Sequence, residues 1–162
     1  MYLERSSFKP ARNAICAVIL VLVLDGCAFI FPSVPSSPLA LQVNAEHFLL
    51  AFCTDVTISG AHLSARDFDS DESFETVWEI EGTGAFRKGD VIDLAKPGDG
   101  FTQIVSKPIE IAPAMQYSVQ AIKADSDSTL IAGFPPLTDD MVESNLWLHP
   151  DGSMSEEPCP LD

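Results

Sequence analysis

Apolar residues follow two regimes along this chain. Ala14 to Leu24 is apolar at all eleven positions, whereas from Leu39 onward the apolar residues recur in short runs parted by clusters of Gly, Pro, Asp and Ser. No stretch in that second region holds a helical period for three turns, so the runs predict strands. They cover Phe48 to Cys53, Val56 to Leu63, Thr76 to Glu81, Val91 to Leu94, Phe101 to Val105, Ile109 to Ile111, Tyr117 to Ile122 and Thr129 to Phe134. In the third run Trp78 and Ile80 fall on one face while Val77, Glu79 and Glu81 fall on the other, as a half-buried antiparallel strand requires. The fold class expected is all-β, an antiparallel β-sandwich over residues 41–136.

The first apolar run has a different meaning. Arg5, Lys9 and Arg12 precede it with Glu4 as the only acid, and a positive start before a short apolar core fits an export signal. A helix needs about 20 apolar residues to span the hydrocarbon core, and this run is interrupted at Asp25-Gly26. Behind it, Phe31-Pro32-Ser33-Val34-Pro35-Ser36-Ser37-Pro38 has three prolines and three serines in eight residues, which excludes a helix and favours an extended, solvated tether.

Leu24-Asp25-Gly26-Cys27 resembles the lipobox of bacterial prolipoproteins, in which a branched apolar residue at −3 and a small residue at −1 precede an invariant Cys. Asp25 at −2 departs from the small or apolar residue usual there. The resemblance implies that residues 1–26 are a helical lipoprotein signal, that Cys27 receives a diacylglycerol, and that residues 27–40 are the lipidated Cys and its tether. Ordinary secretion with cleavage after Ala28, or an uncleaved anchor continuing through Phe31, are the alternatives. Each places the remaining residues outside the cytoplasm, and the lipoprotein reading places them at the extracytoplasmic face of the cell membrane. In layout the chain resembles small actinobacterial lipoproteins.

Charge sharpens this division. The 162 residues carry 9 Lys+Arg against 24 Asp+Glu, for a net charge of −15, yet the mean hydropathy is +0.16. The apolar run alone sums to about +39 on a standard hydropathy scale, so it accounts for the positive mean. Beyond residue 26 remain 6 basic and 22 acidic residues, a net of −16. That surplus argues against nucleic acid as a partner.

Of four cysteines, Cys16 lies in the apolar run and Cys27 is the lipidation candidate, which leaves Cys53 and Cys159. Outside the cytoplasm such a pair is most simply a disulfide, and no Cys/His spacing competes for a metal. The bridge would fasten an acidic, irregular C-terminal tail, residues 137–162, with Trp147 packed against the domain. A Trp on a middle strand followed by Tyr117, Val119 and Ala121 at alternate positions after Pro113 resembles immunoglobulin and fibronectin type III sandwiches. The resemblance implies that Tyr117 closes a corner by hydrogen bonding to backbone.

Candidate chemistry is sparse. The histidines are His47, His62 and His149, and none sits in a nucleophile–base or metal motif. Gly84 to Asp90 has the glycine spacing of a phosphate loop but an acid where lysine must reach phosphate, so it reads as a hairpin turn; Pro150-Asp151-Gly152 beside His149 reads as a surface turn. Asp67, Asp69 and Asp71 begin as a calcium loop does, but Glu72 stands where a sharp-turning Gly belongs and Trp78 where a bidentate Glu belongs. The chain is therefore expected to be a non-enzymatic binding or structural module of the envelope. It needs no cofactor or metal, is held to the membrane by its lipid, and has an envelope protein or glycan as partner. A secreted hydrolase using dispersed carboxylates and one His, or a divalent-cation-binding surface protein, are the alternatives.

Overall fold

A computed structural model describes residues 37–43 and 48–160. The described chain is nearly all β: β1 (Leu39–Val43), β2 (Phe48–Phe52), β3 (Val56–Asp67), β4 (Glu75–Phe86), β5 (Val91–Asp93), β6 (Phe101–Ser106), β7 (Met115–Lys123) and β8 (Thr129–Gly133) precede a short helix α1 (Asp139–Ser144). The strands β9 (Trp147–Leu148) and β10 (Met154–Ser155) follow it. All pairings are antiparallel and form two five-stranded sheets, ordered β10-β9-β1-β2-β5 and β6-β4-β3-β7-β8. Among these residues no helix is long and apolar enough to cross a membrane.

The first sheet is apolar on both faces, which explains its unbroken hydrophobic runs. Leu39, Leu41, Val43, Phe48, Leu50, Phe52 and Ile92 enter the main core, while Ala40, Ala51 and Trp147 form a second buried cluster with Leu49 and Cys53 packed on it. The second sheet alternates. Ala61, Leu63 and Ala65 of β3 and Tyr117, Val119 and Ala121 of β7 are buried, while His62, Ser64 and Gln120 between them are only partly covered.

Among the described residues, one hydrogen bond and two ring contacts stand out where the sheets meet across the core. Trp78 Nε1 donates to the Leu94 carbonyl at 2.8 Å, the Phe48 ring meets Tyr117 edge-on at 5.0 Å, and Phe52 stacks on Phe86 at 4.4 Å. An indole N–H buried in an apolar core must find an acceptor, and the chain just past β5 supplies it. The Tyr117 hydroxyl donates to the Glu110 carbonyl, forming the backbone corner expected of it. Burial, and secondarily the nearby Glu110 charge, push the Tyr117 phenol well above its ordinary ionisation range.

Several sequence expectations change. Ile109 to Ile111 forms no strand: both isoleucines lean on the core, but Glu110 gives its carbonyl to the Tyr117 corner rather than to a ladder. Leu39 and Ala40, expected in the tether, belong instead to β1, which is paired on both sides by β2 and β9. Nor is the tail irregular, since it contains α1, β9 and β10. Asp139 and Asp140 lie in the first turn of α1, where the helix dipole favours anions, and Asn145 ends it with φ 52°. Val77, expected opposite Trp78, is buried beside it. The β3–β4 register passes from Leu63↔Trp78 to Ser64↔Thr76, so Val77 is the extra residue of a bulge that turns both side chains inward.

Candidate functional site

Cys53 and Cys159 form a disulfide, with Cα atoms 5.2 Å apart and a sequence separation of 106. It joins the end of β2 to the segment after β10. Around it the Cys53 N–H donates to the Pro38 carbonyl at 2.8 Å, so the start of the described domain and its C-terminal end meet at one corner. Cys27 and His47 lie outside the described residues.

The other two histidines are in unlike settings. His149 is in a turn, since its carbonyl accepts from Gly152 N–H and its N–H donates to Ser153, but only 9% of the residue is exposed, so it is no surface group. Its Nε2 is 2.8 Å from Ser155 Oγ, while the Ser155 hydroxyl donates to the Glu157 carbonyl. The imidazole must therefore donate to the serine, the reverse of a base that takes a nucleophile's proton. Nearby, hydrogen bonds from Ser153 hold the exposed Asp151 carboxyl below its ordinary range, with the His149 charge a lesser contributor.

His62 faces outward from the middle of the second sheet. It stands opposite Glu79 on β4 and Gln120 on β7, and Gly60, one row away, stands opposite Glu81 and Ile122. Ser59, Gly60, His62, Glu79, Glu81 and Ile122 line an open depression of about 330 Å³. Gly60 forms its floor because a Cβ there would lie 2.9 Å from the Ile80 carbonyl oxygen, closer than real Cβ atoms approach. One imidazole and two carboxylates thus share one concavity, yet among the described residues no hydrogen bond joins His62 to another side chain. The walls present acceptors on the β4 side and an apolar flank at Ile122 on the β7 side. They suit a ligand that brings donors and an apolar stem together.

The acidic loop between β3 and β4 is organised around its own backbone. Asp67 Oδ1 accepts from Asp69 N–H at 3.0 Å, Ser70 Oγ donates to the Asp67 carbonyl, and Glu72 N–H donates to Ser70 Oγ. The Arg66 guanidinium lies 5.6 Å from the Phe68 ring centre and 4.7 Å from that of Phe74, and Arg66 Nε donates to Gln116 Oε1 at 2.8 Å. Among the described residues no group of three or more His, Cys, Asp or Glu is gathered to hold a metal ion.

Gly84 to Asp90 does not form a phosphate cradle. Asp90 Oδ2 accepts from Arg87 N–H and Asp55 Oδ1 from Lys88 N–H, both at 2.8 Å, so carboxylates already take those donors. The turn at Arg87–Asp90 is present, with Gly89 at φ 94°, but β4 and β5 belong to different sheets, which makes it a corner between sheets and not the hairpin expected. Sequence reasoning did not bring His62 together with Glu79 and Glu81. Their outward positions show in the alternation of each strand, but the register that aligns them is set by bulges at Ser59 and Val77. Compared with known proteins, the chain matches no protein-family model, no curated sequence and no solved structure.

Proposed function

We propose that this chain is a lipid-anchored, extracytoplasmic β-sandwich that serves a cell envelope as a non-enzymatic binding or structural module. In this reading Cys27 carries the lipid and an envelope protein or glycan is the partner. The observation that carries it is the Cys53–Cys159 disulfide. The two cysteines left over once the signal-like segment is set aside are the two that pair, and such bonds persist in oxidising compartments. The Leu24-Asp25-Gly26-Cys27 motif and the Pro/Ser-rich stretch after it support the anchor. Metabolic labelling with a fatty acid tests it: the wild-type chain should take up label and Cys27→Ser should not, and equal labelling of both would overturn the anchor.

The depression over Gly60 favours a second reading, a hydrolase whose imidazole and carboxylates are His62, Glu79 and Glu81. Turnover of ester or glycoside substrates that is abolished by His62→Ala and by Glu79→Gln would establish it. Turnover unchanged in both variants would remove it.

A further inference from the structure

Among the described residues four strands end the two sheets, and an open sheet edge is a row of unpaired N–H and C=O groups that natural proteins ordinarily guard. Three of these edges are guarded. In the first sheet β10 is two residues long and β5 three. In the second sheet β6 is six residues long, but its register with β4 shifts between Glu79 and Ile80, and a bulge of that kind twists an edge away from a partner. The remaining edge, β8, is Thr-Leu-Ile-Ala-Gly: five residues, no charge, no proline, and unbroken register with β7.

The direction of its outward groups follows from the hydrogen bonds that flank it. Lys123 N–H donates to the Ser128 carbonyl and Phe134 N–H to the Tyr117 carbonyl, so the residues of β8 that bond β7 are Leu130 and Ala132. Thr129, Ile131 and Gly133 point their N–H and C=O groups outward, and all three residues are exposed. Ile131 is 61% exposed, the most of any large hydrophobic residue among those described.

We propose that β8 is the seam at which two copies of this chain pair, antiparallel about a two-fold axis at Ile131, joining their second sheets into one ten-stranded sheet. Residue identities along the seam favour a second copy over a foreign strand. Ile131 stands opposite Ile131, so the most exposed isoleucine covers its own counterpart. Thr129 stands opposite Gly133, around which the space a side chain would take is empty. No residue from Thr129 to Gly133 is charged, so the paired strands bring no acid opposite an acid although the chain's net charge is −15. The remaining repulsion is long-range, and salt screens it beyond about 8 Å at physiological ionic strength. The dimer should therefore tighten as salt rises, whereas a contact held by opposite charges would loosen. This inference stands whether or not Cys27 is lipidated.

Sedimentation of the full chain in density-matched detergent tests it. The wild type should shift from monomer to dimer with concentration, and more readily at higher salt. Ile131→Pro removes only an outward N–H, which an edge strand tolerates, so it should keep the monomer fold by circular dichroism and weaken dimerisation at least tenfold. Oxidative crosslinking reads the register, with the wild type run alongside for the background of its own thiols. Ile131→Cys should link to itself, because its Cα atoms would be about 5.5 Å apart. Thr129→Cys should not, because its two copies would lie about 14 Å apart along the pair. A wild type that stays monomeric at every concentration, or a dimer that Ile131→Pro leaves intact, would overturn the proposal.

Discussion

Replacing both Cys53 and Cys159 by Ala should lower stability by about 3 kcal/mol while leaving the sandwich folded. The magnitude starts from the 106-residue separation of the two cysteines. In the chain-entropy account, closing a loop of that length in the unfolded state is worth about 4.8 kcal/mol at 25 °C. Against this, the segment after β10 gains freedom in the folded variant. It is short and contains Pro158 and Pro160, whose rings already fix part of the backbone, so the offset is about 1–2 kcal/mol. Urea unfolding of the oxidised chain and the double variant, followed by tryptophan fluorescence, measures the difference. With a slope of about 1.5 kcal/mol/M, the midpoint should fall by about 2 M, and the slope should rise because the unbridged unfolded chain exposes more surface. A shift below about 0.3 M would refute the reasoning, for it would mean that the unfolded chain already keeps the two ends together.

Three further outcomes follow from the core and the acidic loop. Trp78→Phe leaves the buried Leu94 carbonyl without its donor and opens a void, so it should cost about 2–4 kcal/mol by thermal unfolding; a cost under 1 would mean the core closes over both. Tyr117→Phe should cost about 1–2 kcal/mol at neutral pH. Because folding raises the Tyr117 ionisation, that residue's stabilising effect is complete below the unfolded phenol's value of about 10 and falls as pH climbs past it. Wild type should therefore lose stability more steeply than Tyr117→Phe in alkaline urea titrations, and parallel curves would contradict the assignment. Calorimetric titration with Ca²⁺ should show no heat at millimolar metal, since Asp67 spends Oδ1 on the Asp69 N–H and Glu72 stands where a calcium loop turns on Gly; saturable heat would reverse this reading.

How much of this was legible in the residues depended on whether one strand carries its own evidence. Strands β3, β4 and β7 alternate buried and outward residues, so their position and core faces could be read locally, apart from Val77, whose burial depends on a bulge seen only in the pairing with β3. Strand β1 lies directly behind Pro38 and is apolar on both faces, so nothing in its own pattern separated it from the tether. The two-residue strands β9 and β10 exist because β1 is there to pair with, across about a hundred residues of sequence, and no local preference could announce them. Ile109 to Ile111 misled for the converse reason: its alternation is that of a strand, but the Tyr117 hydroxyl takes its middle carbonyl. The disulfide could be inferred by counting cysteines once the first 27 residues were set apart. The depression over Gly60 could not, because it needs three strands in register, and a one-residue slip would turn His62 and Glu79 to opposite faces.

The corner at Cys53 determines how the domain bears mechanical load. Any tension transmitted along the chain ahead of Ser37 enters at Pro38, whose carbonyl is hydrogen-bonded to the Cys53 N–H, and Cys53 is covalently joined to Cys159. To yield, β1 must be drawn from between β2 and β9 while the bridge holds the end of β2 to the chain beyond β10. The disulfide thus sits where a pull arrives, and it spares the rest of the sandwich from acting as the first spring in the line.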